Sequence, residues 1–386
     1  MILSYGGKNC WAFKDWMEIN FQVSKSAPKE ITFTNKNVVS AMCFEGPNAA
    51  GKSCALRVLS FITDFCRNSF NYPADNPIMF DSYYNNSKSS QFYIRFTLPK
   101  DATSEYKYEV TLSKEKVQSE KLTKKKNKQT TVLFKRNNNK VIEDEICKGI
   151  TNIIYKPKAS FISTMIQYGI KEIIPFSNFF AGIISNVSYL QTLDDPLSDY
   201  VAKFFFDNPE LHKKVVNKLK YWDTGIRDVE IIPANDNQGR TVFMSVFHHN
   251  TDADNDTLPF QSQSTGTKLL YNRLSDFIMT IERGGVLVFD ELDNHLHTNI
   301  IPMLIEMFLD KEINNNNAQI VFTSHNTMLL DELKKYRVYL FKKINGESIC
   351  YRIDELPGNN SLRNDRSLEQ MYKAGMLGGQ PDVEEE

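Results

Sequence analysis

Gly46-Pro47-Asn48-Ala49-Ala50-Gly51-Lys52-Ser53 fits the pattern G-x-x-x-x-G-K-S, and its flanks decide how it folds. Before it runs Val38-Val39-Ser40-Ala41-Met42-Cys43-Phe44, which reads as a buried strand, and after it Lys52 to about Arg67 carries apolar residues at helical spacing. A strand, a tight glycine turn and a helix in that order make a phosphate-binding loop. Gly46 and Gly51 let the backbone wrap an anion, while successive N–H groups and the positive end of the helix point at nucleotide phosphates. Lys52 is expected to add a mobile positive charge for the β- and γ-phosphates, and Ser53 a hydroxyl for Mg²⁺.

Two later strands extend this reading. Val286-Leu287-Val288-Phe289-Asp290-Glu291 is an apolar run closed by adjacent carboxylates, as a central parallel strand would end if Asp290 faced Mg²⁺ and Glu291 the attacking water. Gln319-Ile320-Val321-Phe322-Thr323-Ser324 then runs into His325-Asn326. Alone, an acidic pair after a strand is usually a solvated turn or a helix cap, and a histidine there is usually structural. Downstream of a phosphate loop, the three strand ends favour a shared site.

At 386 residues the chain has room for one large domain with insertions or two modest ones. A net charge of −1 excludes a wholesale basic surface for nucleic acid, leaving only a local patch such as Lys121 to Lys128, whose default reading is a solvated hairpin tip. Cys10, Cys43, Cys54, Cys66, Cys147 and Cys350 are scattered without a C-x-x-C pair, which fits reduced thiols and a cytoplasmic protein. There is neither a leader pattern nor a run of eighteen apolar residues, so no membrane contact is expected. His248, His249, His295 and His297 lack companions at zinc spacing and read as structural.

Along the chain, Ile2 to Tyr5 and Met17 to Phe21 read as paired strands. Gln91 to Leu98, Tyr106 to Leu112, Thr131 to Lys135 and Lys140 to Ile142 continue in β. From about Ser160 to Leu219 the apolar spacing is helical, with Pro175, Pro196 and Pro209 as breaks. Sustained heptads are missing, so a long coiled-coil arm is not expected. Val229 to Ile232 and Thr241 to Phe247 return to strand around the turn-like Asn235 to Gly239, and Asp252 to Asp256 reads as an acidic loop.

The order of these pieces resembles the ABC-type ATPase heads of the SMC, Rad50 and RecF group. It looks closer still to the AAA-labelled ATPases of the OLD and abortive-infection type. The matching residues are Gly46 to Ser53, Gln263-Ser264-Thr265-Gly266-Thr267-Lys268-Leu269-Leu270, Val286 to Glu291 with Leu292-Asp293-Asn294-His295-Leu296-His297, and Phe322 to Asn326. Asn9 to Asp15 is similar to the family's opening, and Tyr372 to Gly375 with Gly378 to Pro381 to its close.

The resemblance implies an α/β P-loop NTPase fold of ABC-head type, with an N-terminal β subdomain and an inserted helical subdomain. Residues 1–159 would form an N-terminal ATPase lobe, 160–225 the helical insertion, and 226–386 a C-terminal lobe. Ser264 and Gly266 would cap the γ-phosphate of a nucleotide held by a second subunit, Asn294 to His297 would cross the dimer interface, and His325 would sense the γ-phosphate. Taken alone, Ser264 to Thr267 is only a helix cap.

Departures from the family pattern are equally specific. Ala50 replaces a common glycine, which is tolerable where φ is negative. The signature lacks the transporter form, and Trp11 stands where related heads carry a basic phosphate contact. Gln91 and Gln167 both fit the glutamine loop. The stretch after the third strand is too short for the Toprim nuclease domain that OLD proteins append.

These readings lead to ATP hydrolysis to ADP and phosphate, with Mg²⁺, at sites completed by a homodimer or higher homo-oligomer. The leading expectation is the sensor or regulator ATPase of a bacterial antiphage or abortive-infection system, acting on a separately encoded nuclease or toxin. A RecF- or Rad50-like repair ATPase that binds DNA is the alternative, and a nucleotide-binding scaffold without turnover a third reading.

Overall fold

Each strand of the central sheet sends alternate side chains into two separate cores, which is why these strands read as continuous apolar runs. Met42, Phe44, Val286, Val288 and Val321 face one core, whereas Ala41, Cys43, Leu287, Phe289, Ile320 and Phe322 face the other. The computed structural model describes residues 1–146, 153–189, 198–222, 225–236, 238–253, 255–356 and 366–380. Cys147, Pro196, Asn237, Asp254 and Pro381, which the sequence reading drew on, lie outside the described residues.

Strands β1 (Ile2–Lys8) and β2 (Met17–Asn20) precede β3 (Ala41–Glu45) and helix α1 (Lys52–Asn68). Five strands follow: β4 (Ser90–Leu98), β5 (Asp101–Leu112), β6 (Val117–Lys126), β7 (Gln129–Asn137) and β8 (Lys140–Asp144). Helices α2 (Phe161–Gln167) and α3 (Ile174–Ala181) lead to β9 (Ile183–Ser185), and α4 (Ser198–Asp207) and α5 (Pro209–Trp222) lead to β10 (Ile226–Asn235), β11 (Thr241–His249) and β12 (Thr257–Pro259). The last part alternates: α6 (Thr265–Arg283), β13 (Val286–Phe289), α7 (Ile300–Leu309), β14 (Gln319–Thr323), α8 (Leu329–Leu333), β15 (Val338–Ile344), β16 (Glu347–Arg352) and α9 (Leu368–Lys373).

The central sheet has the order β16-β15-β3-β14-β13-β9, parallel except for the β15–β16 hairpin. An antiparallel seven-stranded sheet, β2-β1-β4-β5-β6-β7-β8, lies across α1, and β10-β11-β12 form a third sheet. α1 is therefore packed between two sheets, with Leu56, Val58, Leu59, Ile62 and Phe65 buried in the first core. Among the described residues no helix is long and apolar enough to cross a membrane. Cys10, Cys43 and Cys66 are buried free thiols, and Cys54 and Cys350 are partly buried and free.

Two readings of the sequence need correction. Lys121–Lys126 is not a hairpin tip but the second half of β6, paired with both β5 and β7; only Asn127 and Lys128 form the turn. The lysines hid the strand because its inward positions are Glu120 and Leu122, so the apolar half of the alternation is interrupted by a buried charge. The segment from Ser160 to Leu219 is helical but is not one unit. Its first helix pair packs in the α1 core and its second in the opposite core, with the central-sheet strand β9 between them. Pro209 separates α4 from α5 as expected, and both Pro175 and Pro209 open the helix that follows, as a residue without an N–H does at the first turn.

Candidate active site

The phosphate loop leaves β3 at Glu45 and enters α1 at Lys52. Its turn depends on three residues in left-handed backbone: Gly46 (φ +146), Ala49 (φ +61) and Gly51 (φ +104). Ala50 is buried and not at positive φ; the strained alanine is its neighbour Ala49. At Gly46 a Cβ would stand 2.4 Å from the Phe341 carbonyl oxygen of β15. Gly46→Ala is therefore expected to lower the stability of the nucleotide-free protein by about 2 kcal/mol or more, measured by thermal melting. Unchanged melting would mean that β15 yields at no cost.

Lys52 is 7% exposed, and its Nζ donates to Gly46 O at 2.6 Å and Pro47 O at 3.1 Å. The ammonium thus closes the loop on itself. Burial pulls its pKa below the ordinary lysine value, while the carboxylates of Glu45 and Asp290 oppose that shift. The first N–H groups of α1 follow Gly51, which provides no side-chain cap, and so remain available at the positive end of a 17-residue helix.

Three strand ends meet here. A cavity of about 370 Å³ is lined by residues 48–54 together with Asp290, Glu291, Thr323 and His325. Asp290, 4% exposed, is held on several sides: Thr323 Oγ1 donates to its Oδ1 at 2.6 Å, and its backbone N–H donates to Asn186 Oδ1 at 2.8 Å. Thr323 Oγ1 in turn accepts from Glu291 N at 2.7 Å. Glu291 is exposed and adopts φ +54, a backbone conformation rarely taken by a residue with a side chain. Glu291 and His325, both exposed, line the same cavity.

Ser264, Gly266 and Asn294 do not line this cavity. Ser264 is exposed and caps α6, its Oγ accepting from Thr267 N at 3.1 Å. Gly266 packs against the loop after β13, where a Cβ would come within 2.9 Å of His295 O. Asn294 Nδ2 donates to Glu291 Oε2 of the same chain at 3.4 Å. The start of α6 and the Asn294 loop are thus one surface feature next to the Glu291 carboxylate.

Other expected contacts fall elsewhere. Neither Gln91 nor Gln167 lines the cavity. Trp11 is buried against Phe61 and Phe92, with ring centroids 6.3 and 6.1 Å away, so this position brings no positive charge to the loop. Sequence reasoning missed Asn186 and assigned no role to Thr323. Thr323 is signalled by a hydroxyl at the end of an apolar strand, whereas Asn186 follows a three-residue strand that has no periodic signature.

The donor set fits nucleotide and Mg²⁺. Ser53 offers a hydroxyl and Asp290 a carboxylate, both hard oxygen donors, and among the described residues no cluster of three or more His, Cys, Asp or Glu forms a closed protein cage. That is how Mg²⁺ is usually held, by one or two protein oxygens with phosphate and water completing the shell.

A family model described as "AAA domain, putative AbiEii toxin, Type IV TA system" matches residues 42–331. In three dimensions the chain is similar to the SMC head domain from Thermotoga maritima, at 12% identity over 91% of this chain and 98% of that one, with a TM-score of 0.43. The SMC head domain with a coiled coil and joint from Pyrococcus yayanosii aligns at 9% identity over 97% and 99%, with a TM-score of 0.46. The recombination mediator protein RecF aligns at 14% identity over 91% and 98%, with a TM-score of 0.35. No curated protein matches the chain in sequence.

Proposed function

The chain belongs to this AAA-domain family and is a P-loop ATPase; on that premise we propose that it hydrolyses ATP to ADP and phosphate at sites finished by a second copy of itself. What supports the reading is one arrangement: the phosphate loop, Asp290, Glu291 and His325 line a single cavity, while Ser264 stands exposed outside it. Lys52 and the loop amides hold phosphate charge, and Ser53 and Asp290 would hold Mg²⁺. The ion, when bound, neutralises charge that develops between the β- and γ-phosphates. Glu291 orients the attacking water and accepts its proton, and His325 contacts the γ-phosphate. Phosphoryl transfer needs little more from a protein than such positioning and electrostatics. Ser264, Gly266 and the Asn294 loop reach across to the partner's nucleotide.

ATP then joins two heads and hydrolysis releases them. The biological role we assign is the cytoplasmic sensor or regulator ATPase of an antiphage or abortive-infection system, controlling a separately encoded nuclease or toxin. The family description, which names a "putative AbiEii toxin" of a toxin–antitoxin system, supports a toxin–antitoxin setting over DNA repair. A Glu291→Gln variant is expected to accumulate as an ATP-bound dimer, seen by light scattering after gel filtration. Equal dimerisation with and without ATP contradicts the proposal. DNA-stimulated, salt-sensitive turnover by the purified chain would instead favour the repair reading.

A further inference from the structure

Two carboxyl groups stand behind the phosphate loop, each with one buried oxygen that lacks a hydrogen-bond partner among the described residues. Glu45, the last residue of β3, is 3% exposed; its Oε1 accepts from Gly46 N at 3.1 Å, and its Oε2 is unpaired. Asp293, in the loop after β13, accepts from His325 N at 2.8 Å through Oδ2, and its Oδ1 is unpaired. Buried acceptors left unmet are costly, so an N–H, a water or a proton must serve them. Neither group was assigned a role by the sequence.

Four titratable or charged groups face Glu45. They are Lys52 from α1, Asp293 from the loop after β13, Cys43 from its own strand and Tyr372 from α9. Burial drives the Cys43 thiol and the Tyr372 hydroxyl far above their ordinary values, so both stay neutral. Glu45 is therefore governed by one cation and one anion. Its carboxyl lies at about 7, because burial, with Asp293 adding to it, raises it by more than the Gly46 N–H and Lys52 pull it back.

Lys52 now spends two of its three donors on loop carbonyls. Incoming phosphates would bring negative charge close to Glu45 and draw the ammonium toward themselves. Both changes disfavour an ionised Glu45. We propose that Glu45 is a positioning residue of the phosphate loop that takes up a proton from solvent when nucleotide phosphates engage Lys52, with Asp293 as the second carboxylate of the pair. The proton forms an O–H bond at Glu45 and no other bond changes. This inference rests on the reading of Gly46 to Ser53 as a triphosphate site.

The sign follows from linkage. A carboxyl whose pKa is higher in the bound state favours binding fully below its free value of about 7, and the advantage is lost as pH rises from there through the higher bound-state pKa. Titration of the full chain with Mg²⁺ and ATPγS by calorimetry, in two buffers of different ionisation enthalpy, should show proton uptake. Affinity should fall about tenfold from about pH 6.5 to about pH 8.5. In Glu45→Gln the slope and the uptake should vanish, and in Asp293→Asn the slope should shrink. The nucleotide-free Glu45→Gln protein should melt no lower than wild type near pH 8, because a neutral amide replaces a penalised charge.

An undiminished slope in Glu45→Gln overturns the proposal, as does heat that is independent of buffer in the wild type. The wild-type buffer pair decides even if the variant is not recovered folded. Failure of the wild type to bind at any pH would instead defeat the triphosphate reading itself.

Discussion

Lys52→Ala is expected to weaken ATP binding about a hundredfold, because the lost contacts are charge-assisted hydrogen bonds worth about 1.5–3 kcal/mol each. The same change acts on the empty protein. Gly46 O and Pro47 O lose their donor, and Glu45 loses the cation that offsets its burial. A modest fall in melting temperature should therefore accompany the loss of affinity, without loss of fold. Fluorescence titration with a labelled ATP analogue reads the first effect and calorimetric melting the second. Affinity within about threefold of wild type would place the phosphates elsewhere.

The largest stability effect is expected away from the site. Arg136 and Glu120 are both fully buried, joined by Nε–Oε2 at 2.7 Å, and Arg136 Nη2 also donates to Ala159 O. The other Glu120 oxygen accepts from Tyr108 OH at 2.6 Å and from Phe161 N at 2.7 Å. This pair ties β5, β6 and β7 to the start of α2, which packs on α1 behind the phosphate loop. Arg136→Ala leaves a buried carboxylate without its cation and should cost about 3–5 kcal/mol in urea unfolding. Adding Glu120→Gln removes the orphan charge while keeping an acceptor for Tyr108 and Phe161, and should recover part of that loss. A cost below about 1 kcal/mol for Arg136→Ala would show that water reaches Glu120.

Some elements were legible because their causes are local. The glycines of Gly46 to Ser53 announce a tight turn, and apolar runs ending in Asp290-Glu291 and in Thr323 to His325 announce strands buried on both faces. Others were hidden for equally physical reasons. β6 is mostly polar, with lysines at 121 and 124–126 and an inward Glu120, so its period carries little hydrophobic contrast. β9 spans only three residues, too few for any periodicity to emerge among helices.

The same division runs through the site. Residue types and spacing alone were enough to nominate a phosphate loop, a carboxylate for Mg²⁺ and a carboxylate for the attacking water, since each such role would need a particular functional group at the end of a particular element. Which groups hold them was decided by the tertiary structure. Asn186, just after β9, and Thr323, at the end of β14, hold Asp290 from both sides of β13, as neighbours only in the folded sheet. The state of Glu45 follows from burial beside Lys52 and opposite Asp293, residues distant in the chain. Sequence spells out chemistry one residue at a time, whereas dielectric, desolvation and hydrogen-bond satisfaction belong to the packed surroundings and exist only after folding.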